Sequence, residues 1–124
     1  MLQGHDFLVL GRSPAVDNPF TIGARRFNPA TDLASLNFNN PVRRDVTMLP
    51  GNGWLVLAFR TDNPGAWLMH CHIAWHVSQG LSVQFLERVS DIPSNVNLNA
   101  INDLCTKWNN YYPTDPFKQL DSGL

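Results

Sequence analysis

The sequence predicts a mostly β fold with one helix near its C-terminus. Short apolar runs bounded by Gly, Pro, Asn and Asp fill the first two thirds of the chain, the pattern of strands joined by tight turns. From Asn97 onward the apolar residues Leu98, Ile101, Leu104, Cys105 and Trp108 instead recur at helical spacing. No apolar run approaches the ~18 residues of a membrane span.

Taken in order, residues 6–10 form an apolar run stopped by Gly11 and predict a buried strand. Residues 12–40 are rich in Pro, Asn, Gly and Asp and predict long loops through Pro14, Pro19 and Pro29, with one turn of helix near 32–36. A strand is expected over 42–48, and Leu49-Pro50-Gly51-Asn52-Gly53 then turns the chain. The next strand, 54–61, places Leu55, Leu57 and Phe59 on one face. Asn63-Pro64-Gly65 turns into a strand over 66–72, so 54–61 and 66–72 are expected to pair as antiparallel neighbours.

Residues 73–80 are expected to make a short helical turn. Strand 81–87 follows, with Val83 and Phe85 on the face of Leu81. Asp91-Ile92-Pro93-Ser94 ends the sheet, and the amphipathic helix from Asn97 closes before Tyr112-Pro113, its apolar side expected to pack on the strands. That makes five strands.

Composition narrows the function classes. The chain has 124 residues, one domain's worth, of which 44% are hydrophobic and 15% charged, with a formal net charge of −1. Nothing in this balance favours nucleic acid or an anionic membrane as partner. No charged n-region followed by an apolar stretch opens the chain, so no signal peptide is expected in it. There is no internal repeat.

The chemistry concentrates in His70-Cys71-His72-Ile73-Ala74-Trp75-His76, one thiol and three imidazoles in seven residues. Thiolate with imidazole selects copper, zinc or iron over magnesium and calcium. The paired spacing of structural zinc modules is absent. If the strand extends to His72, Cys71 faces one way and His70 and His72 the other, so one strand would serve two metal centres joined by the Cys–His backbone. Any one of these histidines alone would read as a hydrogen-bonded core residue; the whole string carries the metal reading.

This string resembles the last copper-binding motif of multicopper oxidases, and most closely that of ascomycete laccases. Gly4-His5-Asp6-Phe7 is similar to the tail of the family's H-P-x-H-L-H-G-H motif. Asn40-Pro41-Val42-Arg43-Arg44-Asp45-Val46 and Asp62-Asn63-Pro64-Gly65-Ala66-Trp67 resemble the segments that lead into the copper motif, and Asp121-Ser122-Gly123-Leu124 resembles the processed ascomycete C-terminus. The resemblance implies a cupredoxin-like Greek-key β-barrel or sandwich. With five strands counted, its N-terminal strands are expected to be missing, leaving an open edge. Residues 1–90 would be the C-terminal portion of a third cupredoxin domain and 91–124 the helix and tail.

Residue by residue, the resemblance implies that Cys71 and His76 bind the type 1 copper and that His70 and His72 each bind one type 3 copper of a trinuclear type 2/type 3 centre. Leu81 matches the axial position of the type 1 copper. A leucine cannot coordinate there, which favours the reduced ion and a high potential; it can be a plain core leucine at the same time. Phenolic or aromatic amine substrates would give up single electrons at the type 1 site, and dioxygen would be reduced to water. Trp75 would offer an aromatic edge beside His76, or else pack over the ligand loop. Arg43, Arg44 and Asp45 read as a polar face or a local ion pair.

The chain also departs from the pattern. Met1 and Gln3 stand where the family motif has histidines for the type 2 and a type 3 copper, and the second type 1 histidine would lie upstream of residue 1. Cys105 matches a cysteine that in laccases bridges to the first domain, so it is expected as a free thiol or else a buried apolar cysteine. The final four residues would thread toward the trinuclear coppers, or fray where no channel exists. The expected whole is the C-terminal part of a secreted laccase, inactive as an isolated chain and requiring its N-terminal cupredoxin domains. Two other classes remain open: a stand-alone copper electron-transfer module that recruits His5 or Met1, and a metal-free structural fragment that needs a partner chain.

Overall fold

The computed structural model describes residues 1–14 and 25–118. The chain divides into two units, Met1–Arg60 and Thr61–Leu124.

In the first unit, β1 (Phe7–Arg12) lies between β2 (Val42–Arg44) and β3 (Leu55–Phe59), antiparallel to both. Phe7 stands opposite Arg44 on one side and Phe59 on the other, and the β1–β3 register slips between Val9 and Gly11. Strand β2 is shorter than the expected 42–48, because β1 starts at Phe7 and offers no ladder partner beyond Arg44. Arg43, Arg44 and Asp45 are all exposed, so this stretch is a polar face, and Arg43 pairs at 2.7 Å with Asp6, the residue before β1.

The core of this unit is Leu2, Phe7 and Trp54, all buried. Phe27 meets the Trp54 ring edge-on at 5.0 Å, and the Arg25 guanidinium lies 5.9 Å from its centroid. Ser13, 1% exposed, is held on both sides: its amide donates to the Trp54 carbonyl at 2.9 Å, and its hydroxyl accepts from the Trp54 amide at 3.1 Å. Gly53 allows that approach, since a Cβ there would sit 2.0 Å from Ser13 Oγ. The helical turn expected near 32–36 is present as α1 (Pro29–Asp32) running into a 3-10 turn, Leu33–Ser35. Asn28 caps it by accepting from the Ala30 amide at 3.0 Å, with Pro29 in the first turn where its missing N–H costs nothing.

In the second unit, β4 (Gly65–His70) pairs antiparallel with β5 (Ser82–Glu87) in an unbroken register from Gly65 opposite Glu87 to His70 opposite Ser82. The expected hairpin between 54–61 and 66–72 does not form: β3 pairs with β1, and β4 pairs with β5. The turn at 63–65 connects two sheets instead of two neighbours. Between β4 and β5 lies α2 (Ala74–Ser78). After β5 come a 3-10 turn (Val89–Asp91), the short α3 (Ile92–Asn95) and the long α4 (Leu98–Tyr111). Asn97 caps α4 by accepting from the Ala100 amide at 3.1 Å, and the helix ends before Pro113 as expected.

The apolar side of α4 departs from expectation. Leu98, Ile101, Leu104 and Trp108 are all exposed, and no residue of the helix is buried among the described residues. Among the described residues the strands form a three-stranded and a two-stranded sheet with open edges and no closed barrel. No helix is long and apolar enough to cross a membrane. The expected path of 121–124 falls outside the described residues.

Candidate metal centre

Strand β4 ends at His70, two residues sooner than expected, so strand alternation alone does not sort the donors. The loop does it. The chain bends at His72 and enters α2, and half a turn of helix carries His76 back to Cys71. Cys71 Sγ lies 3.4 Å from His76 Nδ1. A first-row ion held at ~2.3 Å from sulfur and ~2.0 Å from nitrogen, near the tetrahedral angle, needs those atoms about 3.5 Å apart. The pair therefore fits a single soft ion.

The His70 and His72 rings form a second pair, with centroids 5.8 Å apart and planes inclined by 35°. His70, 6% exposed, donates from Nδ1 to the Cys71 carbonyl at 3.0 Å. A carbonyl can only accept, so Nδ1 carries a proton, and Nε2 is the nitrogen left for a metal, which is how outer partners set the ligating nitrogen of a histidine. The sequence puts the four residues in one string; the fold arranges them as two pairs. Among the described residues no group of three or more His, Cys, Asp or Glu is arranged to hold a metal ion.

Leu81, named for its side chain, acts visibly through its backbone. Its amide donates to the His76 carbonyl at 2.9 Å, and its carbonyl accepts from the Cys71 amide at 3.2 Å. One residue thus ties the backbones of both members of the Cys71–His76 pair. The side chain itself is more than half exposed, so it is not a core leucine. Trp75 is 67% exposed and stands edge-on to the His76 ring at 6.1 Å, rather than packed over the loop.

The remaining sequence-named residues lie elsewhere. His5 and Met1 belong to the first unit, where His5 donates from Nδ1 to the Gln3 carbonyl at 3.2 Å and meets Phe59 edge-on. Neither cysteine is in a disulfide; Cys71 is half-buried and Cys105 exposed. Gly80 was not singled out from the sequence, though a glycine directly after a short helical segment is a recognisable stop signal. Its φ is +89°.

A thiolate–imidazole pair next to an imidazole pair, strung on one strand and its loop, defines a copper-protein class, and the chain belongs to the multicopper oxidase family, whose model matches residues 2–91. Copper is the metal this membership implies. The chain is 60% identical to laccase-2 of Podospora anserina and 60% identical to laccase-1 of Melanocarpus albomyces, in each case over 99% of its own length and 20% of theirs. It is also similar to the crystal structure of the laccase from Botrytis aclada, with a TM-score of 0.78 and 45% identity over 99% of this chain and 21% of that one. The cupredoxin architecture expected from the resemblance is that of these neighbours. The chain spans about a fifth of the length of the curated relatives it matches.

Proposed function

We propose that this chain supplies part of the copper machinery of a laccase, with Cys71 and His76 as type 1 copper ligands and His70 and His72 as ligands to the two type 3 coppers. The observation that carries this is the 3.4 Å approach of Cys71 Sγ to His76 Nδ1 beside the His70–His72 ring pair. Bound copper supplies one-electron oxidation of phenols or aromatic amines at the type 1 site and reduction of dioxygen to water at the trinuclear type 2/type 3 site.

The chain's own residues do the rest. Cys71 and His76 offer a soft donor pair whose spacing is set by α2 and by the Leu81 backbone. The Cys71 carbonyl holds His70 in the tautomer whose Nε2 can ligate. Leu81 offers no thioether, which would favour the reduced ion and raise the potential of a copper held by Cys71 and His76. The exposed Trp75 gives an aromatic substrate a ring to lie against next to His76. The donors come as two incomplete pairs, which supports a reading in which the other ligands belong to further cupredoxin domains that the laccase relatives' length has room for. Residues 1–90 then act as the C-terminal portion of a third cupredoxin domain, in keeping with the 2–91 family match, and 91–124 as its helix and tail. Secretion follows from the same reading.

The test is copper content and visible spectrum of the full-length protein, followed by oxygen uptake with a phenol. About four coppers per protein, an intense thiolate band and phenol-dependent oxygen consumption are expected from one type 1 ion and a trinuclear cluster. A protein that binds no copper and consumes no oxygen overturns the reading. The chain of 124 residues alone should consume none.

A further inference from the structure

Gly80 stands where α2 hands over to β5, and its φ of +89° is a backbone conformation that side-chain-bearing L-residues rarely adopt. Its amide donates to the Val77 carbonyl at 2.8 Å, and its carbonyl accepts from the Ser82 amide at 2.7 Å, which folds the chain tightly around Leu81. Leu81 in turn donates to His76 and accepts from Cys71. The placement of Leu81, and through it of both donors, thus depends on the turn at Gly80. Space is not the constraint here, since a Cβ on Gly80 would meet no heavy atom within 4 Å. The constraint is the dihedral angle alone.

We infer that Gly80 is a positioning residue for the Cys71–His76 pair: its left-handed backbone sets the Leu81 amide and carbonyl so that the thiol and the imidazole are held at ligating separation before a metal arrives. This rests on the reading of that pair as the type 1 site. It goes beyond it by assigning the preorganisation to a residue that contributes no ligand atom.

The experiment compares Gly80→Ala, Gly80→Asn and Gly51→Ala in the copper-loaded full-length protein, read by the visible thiolate band and the copper electron paramagnetic resonance spectrum, with far-UV circular dichroism as the folding control. Alanine carries the full penalty of a left-handed backbone, so the band per chain at limiting copper is expected to fall by about fivefold or more. Asparagine enters the left-handed region several-fold more readily than other side-chain-bearing residues, so Gly80→Asn should restore much of the band. Gly51, also in open space but without a positive φ, should tolerate alanine with an unchanged spectrum. A Gly80→Ala protein with the native band and resonance overturns the inference, as does equal loss in the alanine and asparagine variants. If Gly80→Ala does not fold, Gly80→Asn decides alone: a native-like resonance supports the inference, and an altered one overturns it. A parent protein without any thiolate band sinks instead the type 1 reading beneath it.

Discussion

The first unit buries Leu2, Phe7 and Trp54, whereas the unit that carries the candidate donors buries only His70 and Glu87 among its described residues. Both contain a β-ladder, and both are joined by loops with well-placed turn residues. In Met1–Arg60 the ladder closes over apolar side chains, with Ser13 and Trp54 locked to each other inside. In Thr61–Leu124 the apolar residues of β5 and α4, such as Val83, Leu86, Leu104 and Trp108, face outward. Hydrophobic burial is the dominant favourable term in folding. The contrast therefore separates a part that packing holds from a part that rests more on its β4–β5 ladder and the hydrogen bonds around Leu81.

The largest effect that sharpens this contrast is on the site. Cys71→Ser replaces a soft thiolate with a hard hydroxyl, so the thiolate band of the full-length protein should vanish while the first unit keeps its stability. A surviving intense band would remove Cys71 from the donor set. Next in size is Phe7→Ala, which should cost about 3–5 kcal/mol as a buried aromatic truncation. Leu86→Ala, in a residue 61% exposed, should cost no more than about 0.5 kcal/mol. Urea unfolding measures both, and similar costs for the two would abolish the distinction. Ser13→Ala leaves the Trp54 amide without its hydroxyl partner in a buried place and should destabilise by about 1–3 kcal/mol. Asn97→Ala removes the α4 cap at a cost of ~1 kcal/mol, read as a loss of helical signal in far-UV circular dichroism. An unchanged helical signal would mean that α4 is fixed by something other than its cap.

Much of this could be read from the residues. The five strands among the described residues all overlap the segments where strands were expected, because strand periodicity and turn chemistry are local properties. The start of the helix at Asn97 and its stop before Pro113 were equally local. Pairing was not: Asn63-Pro64-Gly65 looks like a hairpin turn, yet β3 and β4 find other partners, since strand pairing depends on segments far apart in the chain. The donors were legible as a string, and the helical turn expected over 73–80 is α2, which brings His76 to Cys71; only the strand alternation expected as far as His72 gives way to a bend after His70. The outward face of α4 was not legible at all. Periodicity locates an apolar stripe but does not say what covers it.

Four tryptophans at four depths give the molecule its own optical reporters. Trp54, 7% exposed, should emit at short wavelength and follow the unfolding of Met1–Arg60. Trp108, 56% exposed, should emit at long wavelength and be open to iodide quenching. Trp75 is the most useful of them. Exposed to solvent yet 6.1 Å from the His76 ring, it stands close enough for a bound paramagnetic ion to quench its emission, so the filling of the Cys71–His76 pair can be followed as a loss of light without adding any dye.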